Sequence, residues 1–281
     1  MSRRFRLQIW NGKGAAMKKI KNPMIRRIPK ELIGDWKKYL VVFLFLVLTI
    51  GFVSGMYVAN ESMITSANEG VTKYKQEDGH FELKKQADAT LLSAIETGEK
   101  ADFKATKTTL YENFFRNEEE DYNNDGKKDG TIRVFAKTKD INLACMLQGS
   151  FPQKADEIAI DRMHADNVGI KVGDTVTVSG ETYKVVGLLA YANYSTLHEK
   201  TTDLMFDALK FDVAMVTQDG FDRLHKSIHY TYAWKYETEP ADEAGEKTRS
   251  DNFMRALLTQ VVVADNELED YTPKYGNPAI N

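Results

Sequence analysis

The 281 residues carry 38 Lys and Arg against 41 Asp and Glu, a formal net charge of -3, and a single cysteine, Cys145, so an internal disulfide is excluded. The near-neutral total hides a division: twelve basic and two acidic residues precede Tyr39, a net of +10, while the remaining 26 basic and 39 acidic residues give -13. A basic head followed by a long uncharged run excludes a simple nucleic-acid binder, because such a head sits against anionic lipid.

The uncharged run covers residues 39–59. A membrane span needs ~20 mostly apolar residues, and a secretory signal has a shorter apolar core of ~7–15. Trp36, Lys37, Lys38 and Tyr39 at one edge form the aromatic and cationic border of a span. Basic residues stay on the cytoplasmic side, so the N-terminus is expected inside and residues 60–281 outside. Four segments follow: a cytoplasmic basic tail (1–27), an amphipathic interfacial helix (28–38) with Ile28, Leu32 and Trp36 on one face, the span (39–59) and an outer domain (60–281). Within the span, Gly51 and Gly55 flank Ser54, a small-residue surface on which another helix can pack closely. Membrane lipid is thus an expected partner and nucleic acid is not.

Beyond the span, the apolar spacing predicts a stalk helix over 60–77, stopped by Asp78-Gly79, and a second helix over 84–96 with Leu91, Leu92 and Ile95 buried. Strands are expected at 131–135 and 157–160. Asp161 follows as an N-cap for a short helix closed by Gly169. Residues 172–189 read as a hairpin: Val176 and Val178 alternate with threonines, Ser179-Gly180 reverses the chain, and Tyr183 and Val185 alternate on the return. Gly173-Asp174 starts it. Strands at 211–216 and 229–235 and helices at 220–226 and 241–258 complete an α+β domain of mixed or antiparallel sheet in two lobes. An outer domain without disulfides fits a bacterial surface.

The search for chemistry is mostly negative. His80, His164, His198, His225 and His229 form no zinc signature and are expected at the surface. There is no nucleophile elbow and no phosphate-cradling glycine loop. Asp121, Asn123, Asp125, Gly126 and Asp129 follow the start of a calcium loop, but its twelfth place, ordinarily a bidentate glutamate, is Ile132. The expectation is a polar turn, with no catalytic set, metal or cofactor, so the protein is read as not an enzyme.

Two motifs carry a family resemblance. "GSFPQKADEIAI" holds Gly149, Pro152 and Glu157 before an apolar strand, and "NVGIKVGDTVTVSGETYKVVGLL" holds Gly173, Asp174 and Gly187 in the hairpin. With the cationic helix and span before them, they resemble the N-terminal portion of FtsX-like, MacB-type permeases of ATP-binding-cassette (ABC) transporters. Ser150 departs from the arginine often found there. The resemblance implies a MacB-like extracytoplasmic core domain, a second permease subunit, and cytoplasmic ABC ATPase subunits coupled through further spans downstream. It therefore implies a reading frame continuing past Asn281. The alternative is a single-span surface protein whose outer domain binds a ligand or partner.

Overall fold

A computed structural model describes residues 27, 33–97, 108–200, 203 and 205–275. Residues 1–26 of the basic tail and 28–32 of the interfacial helix lie outside the described residues. The chain divides into two compact units, Met1–Ile64 and Thr65–Asn281.

Helix α1 (Trp36–Lys73) is the one helix among the described residues long and apolar enough to cross a membrane. Its apolar side chains, Phe43, Leu48 and Phe52 among them, are exposed. The stalk ends at Lys73, short of the expected 77. Lys75 adopts φ 48° and the Gln76 amide reaches back to the Val71 carbonyl, which closes the helix in a left-handed cap. Residues 76–78 are thereby released from the helix and become anchors.

The second unit holds two sheets. The smaller is antiparallel, in the order β11 (Leu268–Pro273), β1 (Gly79–Leu83), β10 (Tyr230–Tyr236), β2 (Thr108–Glu112). Helices α2 (Ala89–Thr97) and α5 (Glu243–Val263) supply Leu91, Ile95, Phe253 and Leu257 to a core around Phe81, Tyr232 and Trp234. The Trp234 ring lies 4.7 Å from Phe253 and 5.2 Å from Tyr271, centroid to centroid. Helix α2 begins five residues later than expected. Asp88 caps it by accepting the Leu91 amide at 2.7 Å, while the Lys84 and Lys85 amides are taken up outside the helix by the Glu267 carbonyl and Asn266 Oδ1.

The larger sheet contains β3 (Phe115–Asp121), β4 (Gly130–Ala136), β5 (Cys145–Gly149), β6 (Glu157–Asp161), β7 (Thr175–Val178), β8 (Glu181–Ala190) and β9 (Phe211–Val216). The ten-residue β8 pairs on one edge with β6. On the other edge it pairs first with β7 and then with β5. The run β8-β6-β9-β4-β3-β7 thus closes into a ring. Ile132, Val134, Ile158, Ile160, Val176, Val185 and Ala214 fill its interior, and the alternate residues Phe135, Ala159, Val213 and Met215 line a second core outside it. Each fully buried isoleucine contributes on the order of 1.5–3 kcal/mol. The short helix α3 (Arg162–Val168) follows β6, and α4 (Gln218–Asp222) follows β9.

The expected α+β class holds, with a mixed sheet and an antiparallel one. The hairpin, the Asp161 cap and the Gly169 left-handed stop (φ 85°) form as read. Helix α4 sits earlier than 220–226, because Thr217 caps it through the Gly220 amide; α5 runs to Val263 rather than 258. The surface placement of the histidines is corrected: only His225 is exposed, His80, His198 and His229 are partly buried, and His164 is fully buried.

Candidate functional site

In the second unit, the segment at the end of α1, residues 74–78, is tied into the fold by several backbone and side-chain bonds. Backbone bonds run from Leu143 N to the Tyr74 carbonyl (2.8 Å), from Asn142 N to the Lys75 carbonyl (3.0 Å) and from Asp78 N to the Trp234 carbonyl (2.9 Å). The Tyr74 hydroxyl donates to Cys145 Sγ at 2.8 Å, and Gln76 Nε2 donates to the Ala192 carbonyl at 3.1 Å.

Glu77 is the centre of this junction. Its side chain is fully buried and takes hydrogen bonds from Asn142 Nδ2 (2.5 Å) and Asn193 Nδ2 (3.4 Å) and an ion pair from His80 Nδ1 (2.7 Å). Burial alone would raise the carboxyl, but His80 and the two asparagines outweigh it and hold Glu77 below its ordinary range. His80 moves the opposite way: burial opposes its charge, and Glu77 more than compensates. Asp78 pairs with Lys235 Nζ at 2.8 Å and accepts the Tyr236 amide at 2.9 Å. A buried carboxylate survives only when its oxygens are matched in this way. One five-residue stretch is therefore bonded both to the small sheet, through β1 and β10, and to the loops flanking β5 and β8 of the large one.

The two resemblance motifs meet on β5 and β8. Gly149 pairs with Gly187 in the antiparallel ladder. Gly149 has φ 78°, and a Cβ there would lie 2.2 Å from the Val186 carbonyl oxygen; a Cβ on Gly187 would lie 2.5 Å from that of Ser150. Both positions exclude a side chain. Pro152 is buried, and the Glu157 carboxylate turns back to accept the amides of Gln153 (2.8 Å) and Lys154 (3.2 Å). Spacing proline and glutamate five apart closes the loop that feeds β6. In the hairpin, Asp174 Oδ2 accepts the Lys171 amide at 2.8 Å, and Gly173, at φ 107°, donates to the Val185 carbonyl. These residues shape backbone and offer no reactive group.

Gly51 and Gly55 lie on α1, and a Cβ at either would meet open space. In the calcium-like loop, Ile132 is a core side chain, and the Asp121 carboxylate accepts the Asp125 and Gly126 amides at 3.1 and 2.8 Å. The loop thus uses its first carboxylate to fold itself. The junction at 76–78 was missed from sequence. In the sequence, Gln76 and Glu77 read as the end of the stalk helix and Asp78 as its stop, and only their burial marks them.

No family model matches the chain, and no curated protein matches it. Among solved structures, it is similar to the extracellular domain of the noncanonic ABC-type transporter YknZ from Gram-positive bacteria. The identity is 14% and the TM-score 0.33, covering 68% of this chain and 100% of that one. It is also similar to the periplasmic region of MacB from Actinobacillus actinomycetemcomitans, at 9% identity and TM-score 0.36, covering 73% of this chain and 94% of that one. Both TM-scores describe a partial superposition.

Proposed function

We propose that the chain is a permease subunit of an ABC transporter of the FtsX/MacB type. In this reading residues 1–38 are cytoplasmic, 39–59 cross a bacterial cell membrane, and the outer domain moves in response to ATP hydrolysis by cytoplasmic ABC ATPase subunits. A second permease subunit would pack on the Gly51 and Gly55 surface of the span. Conformational change or export would be the output, with no chemistry done by this chain.

The observation that carries the proposal is the junction at residues 74–78. A helix end bonded separately to two sheets transmits displacement, because moving it must strain or break several buried hydrogen bonds at once. A ligand-binding domain on a passive anchor needs no such coupling. The +10 and -13 charge division supports the orientation.

The test is purification of the protein from membranes of the cells that make it, with mass spectrometry of what is stoichiometrically bound. An ATPase with a phosphate loop is expected, and a non-hydrolysable ATP analogue should alter protease sensitivity of the outer domain. Absence of any such ATPase, with an unaltered digestion pattern, would leave the single-span binding protein as the reading.

A further inference from the structure

Glu120, His164 and Asp212 come together from three elements: the end of β3, helix α3 and the start of β9. All three side chains are fully buried. Asp212 lies on the same face of β9 as Ala214 and Val216, so it points into the ring of strands, as does Glu120 beside β4. One donor atom from each residue lies within 4.8 Å of the others.

Their hydrogen bonding is unfinished in one direction only. His164 Nδ1 is 2.8 Å from the Ala208 carbonyl oxygen, an acceptor, so Nδ1 carries the proton. Nε2 then faces the carboxylates and makes no hydrogen bond. Both Glu120 oxygens and Asp212 Oδ2 are likewise without hydrogen-bond partners, whereas Asp212 Oδ1 accepts the Asp161 and Val213 amides at 3.1 and 2.7 Å. The Nε2 to Glu120 Oε1 distance is 3.4 Å. That is longer than a charge-assisted hydrogen bond of about 2.7–2.9 Å. It matches the ~3.4 Å edge of a coordination tetrahedron with bonds of ~2.1 Å.

We propose that Glu120, His164 and Asp212 form a structural site for one divalent transition-metal ion, zinc by preference. The bond from Nδ1 to a backbone carbonyl is the outer contact that fixes a metal-binding imidazole in the right tautomer. A neutral imidazole and two carboxylates carry -2, which a dication cancels inside a low-dielectric core. The imidazole favours zinc over magnesium or calcium, which prefer all-oxygen sites. The ion would clamp α3 to two strands of the ring that are separated by β4. Without a metal, the same cluster takes up protons instead, on the imidazole or on a carboxyl group, because burial disfavours the bare charges, and these two states are experimentally distinct.

The test uses the untagged full chain in detergent, stripped with chelator and then given zinc chloride. After gel filtration, one equivalent of zinc per chain is expected by elemental analysis, with a raised melting temperature. Glu120→Gln and Asp212→Asn, each close in shape to the native residue, should lower zinc affinity at least tenfold and abolish the zinc-dependent rise. X-ray absorption of the zinc-loaded wild-type chain should show one imidazole and oxygen donors, and it stands even where the variants do not fold. A folded wild-type chain that retains less than a tenth of an equivalent overturns the proposal. So does zinc held equally by folded variants, or a donor shell containing sulfur or several imidazoles.

Discussion

Gly149 and Gly187 face each other across the β5–β8 ladder so closely that neither has room for a Cβ. Residues 38 apart in sequence thus form one close approach, joining the proline turn to the hairpin. Gly149→Ala combines a blocked Cβ with φ 78°. It is expected to cost about 1–3 kcal/mol or more. Gly173→Ala has the unfavourable φ of 107° but open space around it, so it should cost less than Gly149→Ala. Urea unfolding of both variants checks the order, and equal midpoints for Gly149→Ala and wild type would refute the close approach.

The Glu77–His80 pair gives a pH signature. Glu77 is lowered from 4.5 in the folded chain, so its stabilisation is present above the unfolded value and is lost as pH falls through the folded one. His80 is raised from 6.5, so its share is fully present below that value and fades as pH rises through the folded one. The charges of Asp270 and Arg133 also act on His80, the first raising and the second lowering it. The melting-temperature difference between wild type and Glu77→Gln should therefore be greatest between about pH 4.5 and 6.5, bounded by the two reference values. A difference independent of pH from 3 to 9 in ~1-unit steps would contradict the ion pair.

Removing Glu77 altogether should be severe. Glu77→Ala leaves His80 without its carboxylate and both asparagines without an acceptor. Breaking a buried pair costs about 3–5 kcal/mol. If the junction transmits motion, the variant should also uncouple any ATP-dependent change in outer-domain digestion, a readout that a purely local loss of stability would leave intact at low temperature.

Asp161 caps α3 by accepting the amides of Met163 and His164 at 2.7 and 3.4 Å. Asp161→Ala should lose about 1 kcal/mol, and Asp161→Asn should recover most of it. Glu157→Ala should cost a similar ~1–2 kcal/mol, because the Gln153 and Lys154 amides lose their acceptor. Chemical denaturation of each variant reads these differences directly.

Orientation is tested on intact cells. External protease should remove the outer domain and spare Lys18 to Lys38. Cleavage confined to the N-terminus would reverse the topology and remove the basis for the proposed function.

The sequence alone determined whatever is written locally. An uncharged run of span length, the charge difference across it, the alternation of residues 175–185 and the Asp161–Gly169 caps each need only neighbouring residues to be read. Tertiary structure decided the rest, because its causes lie far apart in the chain. "FRNEEED" looks like solvated surface, yet it is β3, and Glu118 and Glu120 are buried once the ring of strands closes around them. Strands β1 and β11 come from opposite ends of the second unit, and their pairing explains both. His164 reads as one scattered histidine until Glu120 and Asp212 arrive from 44 and 48 residues away. Periodicity and capping report which way a side chain faces relative to its own backbone. The desolvation and pairing of a charge depend on which partners the completed fold brings to it.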